Sequence, residues 1–388
     1  MIGFRDELEN NILKFWIDKM QDNENGGFYG RIDGNDVLHP QSNKGAVLNA
    51  RILWTFSAAY RILKKTEYLE TAKRAFDYIT THFIDKKNGG VYWELDYKGN
   101  PVSTKKQTYA QGFALYGFSE FYRATGDTKA LELAKEFFFL LEKCHDDKLG
   151  GYLEAYTEDW QPIEDMRLSD KDANEKKTMN THLHVLEPYT NLCRIWDDER
   201  LINAQRRLIR TFTDCILDKQ SSHLNLFFDE EWNVKSTAVS YGHDIEAAWL
   251  LYEAAEILDD KGLISEIKAL TLKIADAASE GFEADGSMVY EREDVHVDMQ
   301  RHWWVQAEAV VGYMYAYKNS DNVSYKENAA NVWRYIQVKI IDRQDGEWIW
   351  SRLVDGSVNH TDDKAGFWKC PYHNGRMCME MIEHFNLQ

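Results

Sequence analysis

Apolar residues recur every three to four positions in twelve stretches of the chain, and this spacing predicts helices over about residues 8–19, 44–64, 68–83, 108–123, 128–145, 177–196, 199–217, 242–258, 262–280, 301–318, 324–341 and 371–386. The stretches are of two kinds. The one from residue 68 places Ala72, Ala75, Phe76, Ile79 and Phe83 on one side and Lys73, Arg74 and Asp77 on the other, the pattern of a helix with one buried face. Its predecessor, with Ala46-Val47-Leu48, Ile52-Leu53-Trp54, Phe56 and Ala58-Ala59, is apolar almost all round, as are Ala247-Ala248-Trp249-Leu250-Leu251 and Ala309-Val310-Val311-Gly312.

Between the helices lies a recurring turn followed by aromatic or aliphatic residues: Gly26-Gly27-Phe28-Tyr29, Gly89-Gly90-Val91-Tyr92-Trp93, Gly150-Gly151-Tyr152-Leu153, Asn225-Leu226-Phe227-Phe228, Gly286-Ser287-Met288-Val289-Tyr290 and Gly346-Glu347-Trp348-Ile349-Trp350. The near-constant step, about 60 residues, defines six repeats of two helices each. Lys98-Gly99-Asn100 and Asp355-Gly356 extend two of the turns into short hairpins. Alternating buried and one-sided helices form two concentric rings. The expected fold is therefore all-α, an (α/α)6 barrel of six inner and six outer helices with short β-hairpins in the connecting loops, built as one domain over residues 1–388.

In such a barrel the inner helices run parallel, and their N-terminal ends share one mouth. The starts of the all-round apolar stretches do carry polar groups: Arg51; Tyr109; Asn180 and His184; His243 and Glu246; Trp303, Trp304 and Glu308; Tyr372 and His373. Charged groups among apolar neighbours are costly unless paired, so their convergence points to a wet cavity. His182 and His184 are two residues apart on a helix and cannot both face it; His184, one turn beyond Asn180, is the expected one. Tyr109, Trp303, Trp304, Trp368 and Tyr372 add the aromatic surface on which the C–H faces of a sugar pack.

Charge and composition remove other classes. With 64 Asp and Glu against 46 Lys and Arg, the chain does not suit a nucleic-acid backbone. No segment has the run of charge-free apolar residues of a membrane span, and Arg5, Asp6, Glu7 and Glu9 interrupt any leader, so a cytoplasmic protein with no membrane partner is expected. Five cysteines without a CxxC pair are expected to be reduced thiols. His184, His243, His373, Glu246 and Glu308 are possible metal ligands, yet no short-range motif such as HExxH joins them, and neither metal nor cofactor is expected.

At these same residues the chain resembles the N-acylglucosamine 2-epimerase superfamily, and within it the branch acting on disaccharides. The resemblance runs nearly end to end, through Arg51-Ile52-Leu53-Trp54, Lys177-Thr178-Met179-Asn180, Ser240-Tyr241-Gly242-His243-Asp244-Ile245-Glu246, Trp303-Trp304-Val305-Gln306-Ala307-Glu308 and Trp368-Lys369-Cys370-Pro371-Tyr372-His373-Asn374-Gly375-Arg376-Met377. It implies an (α/α)6 barrel, and cofactor-free interconversion of glucose and mannose at the reducing end of cellobiose and related β-1,4-linked disaccharides. It also implies site roles for Arg51, Tyr109, Asn180, His184, His243, Glu246, Trp304, Glu308, Trp368 and His373.

That chemistry asks for two proton carriers, one set for ring opening and one for C2, and imidazole with an ordinary pKa of about 6.5 serves both. His243 and His373 are the expected acid/base pair, Arg51 the cation for the enediolate, His184 a neutral donor, and Glu246 a partner to His243 or to a hydroxyl. A monosaccharide 2-epimerase or aldose–ketose isomerase on the same barrel is the nearest rival. A glycoside hydrolase using Glu246 and Glu308 would leave the histidines without a role, and a sugar-binding protein would leave the His and Arg convergence unexplained. A monomer with a small-molecule disaccharide as its only partner is expected.

Overall fold

The computed structural model describes residues 1–387. Its inner ring consists of Ala46–Leu63, Thr108–Thr125, Met179–Cys193, Tyr241–Glu256, Trp303–Ser320 and Tyr372–Phe385, each packed on the next, with the last returning to the first. Thr66–Tyr78, Thr128–Lys143, Glu199–Thr211, Lys261–Ala278 and Val323–Tyr335 form the outer ring with the helical stretch 4–19. The architecture is the expected barrel. The stretch 4–19 starts four residues earlier than the periodicity predicts because Phe4 is drawn in to stack on Trp333, with ring centroids 4.3 Å apart. It packs against Tyr372–Phe385, so the two ends of the chain close the double ring together.

Burial explains the two hydropathy patterns. Ala46 through Ala59 are all buried, whereas the outer helix Thr66–Tyr78 buries Tyr68, Thr71, Ala72, Ala75, Phe76 and Tyr78 and turns the rest outward. At roughly 25 cal/mol per Å² of apolar surface, a continuous core on both sides of the inner ring is the main stabilising term.

The residues just before an inner helix are extended, not helical as the pattern from residue 44 or 177 suggests, because each pairs with the turn of the following repeat. Lys44–Gly45 pairs with Glu94–Leu95, Lys106–Gln107 with Ala155–Tyr156, Lys177–Thr178 with Phe227–Phe228, Ala238–Ser240 with Glu291–Glu293, and Arg301–His302 with Ser351–Arg352. The bridge between Ile32 and Ala365 completes the circle. These pairings fix the mouth of the barrel from repeat to repeat.

Beneath them sit buried ion pairs. Lys44 Nζ lies 2.8 Å from Asp22, Lys106 Nζ 2.8 Å from Asp85 and Lys177 Nζ 3.0 Å from Asp146. In each turn the aspartate also accepts backbone N–H groups two and three residues on, as Asp22 does from Glu24 and Asn25, which is why an aspartate opens the turn. The fourth turn corrects the sequence reading: it is made by Ser222, held at φ 67° and donating its N–H to Asp218 O, and not by Asn225. A serine where the other copies carry glycine concealed it.

Candidate active site

Counting from the residue that leads into each inner helix (Lys44, Lys106, Lys177, Val239, Arg301 and Lys369) sorts the interior into layers. Four places on come His243 and His373, equivalent positions in their repeats. Seven places on come Arg51, Phe113, His184, Glu246, Glu308 and Arg376, and ten places on come Trp54, Tyr116, Glu187, Trp249, Val311 and Met379. The helical period of 3.6 brings the residues seven and ten places on to one face, turned to the barrel axis.

The layer five places on holds Asn49, Gln111, His182, Asp244, Gln306 and Asn374, and four of these grip the turns. Gln111 accepts from Val91 N–H and donates to its C=O; Gln306 does the same to Met288; Asp244 accepts from Leu224 N–H. His182 belongs to this set. Its Nε2 accepts from Tyr152 N–H at 2.9 Å, and its Nδ1 lies 2.6 Å from Thr178 O, so the ring braces the mouth and only His184 reaches the axis. Gly151, at φ 77°, lets the turn approach; a side chain there would run into Trp232 and His182.

Each of the other three inner histidines is fastened through Nδ1. His184 Nδ1 lies 2.6 Å from Glu187 Oε1, His243 Nδ1 2.8 Å from Ser240 Oγ, and His373 Nδ1 2.7 Å from Glu308 Oε1. Among the described residues none of the three makes a hydrogen bond through Nε2. His243 and His373 both pack on Trp304, with ring centroids 4.7 and 5.7 Å away. His184 lies 5.0 Å from both Tyr109 and Phe113.

Arg51 crosses this group. Nη2 donates to Tyr109 Oη at 2.8 Å, and the guanidinium lies over Phe113 at 4.2 Å and Tyr372 at 4.8 Å. Trp368 borders it, with its ring 6.0 Å from Tyr109. Tyr372 is deeper than the aromatic pattern suggests: fully buried, it donates its hydroxyl to Glu187 and accepts from Arg376. Trp303 is held against Trp350 at 4.5 Å, under Lys369, and stands 6.5 Å from His373.

Two groups the sequence reading left out of the site, Glu187 and Arg376, hold it together. Arg376 Nη2 is 2.7 Å from both Glu246 Oε1 and Glu308 Oε1, and Nη1 is 2.6 Å from Glu187 Oε2. Glu187 was visible three residues after His184, where a helix returns to the same face. Glu246, Glu308 and His373 offer ligand atoms close enough together for a metal ion, but the Arg376 guanidinium is bonded to both carboxylates and supplies the cation there.

The electrostatics separate the two carboxylates. Burial alone would raise Glu308, but Arg376 and the His373 hydrogen bond bring it down to about 2, so it is ionised. Burial and the neighbouring Glu308 charge push Glu246 well above the usual range, and its Oε2 is buried without a partner. Burial lowers His243 and His373 to about 3 and His184 well below its ordinary value, the last with help from Arg51 and Arg376. The imidazoles therefore rest neutral and can accept protons.

A cavity of about 90 Å³ at the N-terminal ends of the inner helices reaches this group at His243 and is walled by Asn180, Ser240, Glu154 and Tyr290 and by Met166, Leu168 and Asp172 of the long loop between residues 157 and 176. Nothing in the hydropathy pattern marked that loop as part of the site. Asn180 Oδ1, at the cavity wall, is buried without a partner.

The chain belongs to the N-acylglucosamine 2-epimerase family, which it matches over residues 27–375. It is 56% identical over 379 residues to the cellobiose 2-epimerase of Bacteroides fragilis, with 97% of each chain covered. The cellobiose 2-epimerase of Ruminococcus albus is 40% identical over 379 residues, again with 97% of each chain covered. The solved structure of cellobiose 2-epimerase from Bacillus thermoamylovorans B4167 superposes with a TM-score of 0.94 at 41% identity and 98% coverage of both chains.

Proposed function

We propose that the protein interconverts glucose and mannose at the reducing end of cellobiose and related β-1,4-linked disaccharides, by proton transfer at C2 without a cofactor. The observation that carries this reading is the set of three neutral imidazoles fastened at Nδ1 around Arg51, in a chain 56% identical to a cellobiose 2-epimerase.

Ring opening takes a proton from the anomeric hydroxyl and gives one to the ring oxygen. A neutral imidazole whose Nδ1–H is held by Glu308 keeps its Nε2 lone pair for the substrate, so His373 serves as a base. His243, held by Ser240 across Trp304, is its counterpart. As the C2 proton leaves, negative charge grows on the C1 oxygen. A fixed guanidinium in a pocket of low dielectric stabilises such an enediolate by a few kcal/mol, and Arg51 is that group. Return of the proton to the other face of C2 gives the mannose product; return to C1 gives a ketose. Glu246, its pKa pushed well above the usual range by burial and the Glu308 charge, offers its unpartnered Oε2 for a hydrogen bond with a sugar hydroxyl.

The test is incubation of chelator-treated protein with cellobiose in D2O, followed by NMR and chromatography. The expected product is 4-O-glucosyl-mannose carrying deuterium at C2. Unchanged cellobiose with turnover of free glucose or mannose moves the assignment to a monosaccharide isomerase, and release of glucose moves it to hydrolysis.

A further inference from the structure

The barrel has a second cavity, of about 60 Å³, at the opposite end from the mouth. It lies among the C-terminal halves of the inner helices, and exposed Glu383 and His384 are at its rim. Five residues of the layer ten places on, Trp54, Tyr116, Glu187, Trp249 and Met379, contribute to its inner wall. Glu187 thus belongs to both ends of the axis. It is 2% exposed, its Oε1 meets His184 Nδ1 at 2.6 Å, and it borders the rear space.

That wall is polar. The indole Nε1 of Trp54, in a residue 6% exposed, is buried without a protein partner, and such a donor in a cavity wall is suited to water. Around it Arg61, Arg123 and Arg194 are each bonded to a carboxylate: Arg61 and Arg123 to Glu120, Arg194 to Glu253. With its cations already paired, the rear cavity is poorly suited to an anion and well suited to a chain of water molecules.

We propose that Glu187 is a proton-relay residue that connects His184 to solvent in the rear cavity, so that the imidazole changes its proton without the mouth opening. The proposal rests on the epimerase reading. When a sugar hydroxyl gives its proton to Nε2 of His184, the Nδ1 proton passes to Oε1 of Glu187. Glu187 then releases it to rear-cavity water, and His184 is again neutral with its proton on Nε2. When the hydroxyl takes its proton back, the same transfers run in reverse. Burial raises the Glu187 carboxyl above its ordinary pKa, and the Arg376 guanidinium and the Tyr372 hydroxyl, both bonded to Oε2, pull it back toward the ionised form between transfers. Glu187 acts through His184 and is a positioning residue in the proton path, not a group that touches the sugar.

Three variants test it. Glu187→Gln retains size and the acceptor for Nδ1–H but cannot carry a proton, and kcat for cellobiose epimerisation should fall about tenfold to a hundredfold with KM little changed. Glu187→Ala should regain turnover with formate and not with formamide, which has the same shape and no exchangeable acid. Ile62→Trp, which adds bulk in the rear cavity wall, should lower kcat without touching the hydrogen bonds of Glu187 and should block formate rescue in the double variant. Full kcat in Glu187→Gln, equal rescue by formamide, or full kcat in a folded Ile62→Trp overturns the relay. Absence of cellobiose epimerisation in the unmodified protein is a different result, and it overturns the epimerase reading instead.

Discussion

Nδ1 of His373 lies 2.7 Å from Oε1 of Glu308, a carboxylate on the neighbouring inner helix, and this bond fixes both the tautomer of the ring and its direction. Arg376 meets the same carboxylate oxygen at 2.7 Å, so one ionised glutamate aligns an imidazole and anchors a guanidinium. Glu308→Gln should lower kcat by about a hundredfold while leaving KM within a few-fold, since an amide aligns the ring less firmly and stabilises its protonated form less. Steady-state kinetics on cellobiose read this directly; a loss confined to KM would make Glu308 a substrate-binding group.

His243 and His373 are equivalent positions of two repeats, both in contact with Trp304. His243→Ala and His373→Ala should each abolish epimerisation with the fold intact by circular dichroism. Appreciable turnover in either variant removes that histidine from proton transfer.

The turns depend on buried ion pairs. Lys106 and Asp85 are no more than 1% exposed and 2.8 Å apart, and Asp85 also accepts the N–H groups of Lys87 and Asn88. Removing one partner leaves the other charge buried and alone, at a cost of about 3–5 kcal/mol. Asp85→Ala should lower the stability measured by urea unfolding by that amount, and a change under about 1 kcal/mol would mean that water replaces the carboxylate.

How far the chain could be read follows from which forces act locally. Helix number, the two rings and the clustering of Arg51, His184, His243, Glu246, Glu308 and His373 were legible because each depends on a period of 3.6 within one helix. What was not legible depends on partners far apart in sequence: Arg376 reaches Glu187 across 189 residues, and the extended residues before each helix pair with the next repeat. The fourth turn escaped because Ser222 adopts a left-handed backbone that glycine signals elsewhere. The orientation of His182 needed the comparison with Gln111 and Gln306, whose common register shows only once the residues leading into the helices are aligned.

That register yields a prediction about acid. His182 is buried, and burial lowers its pKa to about 4 from the ordinary 6.5. Between those values the unfolded chain binds a proton that the folded ring refuses, so this residue's contribution to stability is full above about pH 6.5 and is lost as the pH falls toward 4. One proton corresponds to a slope of about 1.4 kcal/mol per pH unit. His182→Gln should keep the fold, because Gln306, at the same position, accepts from the turn N–H and donates to the carbonyl four residues back, the two bonds that His182 makes with Tyr152 and Thr178. The variant should epimerise normally and lose stability less steeply than the parent between pH 6.5 and 4. His243, His302 and His373, lowered to about 3, continue to destabilise both proteins in acid, so the two curves should differ by close to one proton. Urea midpoints measured across that range check this, and parallel curves would place the proton on another histidine.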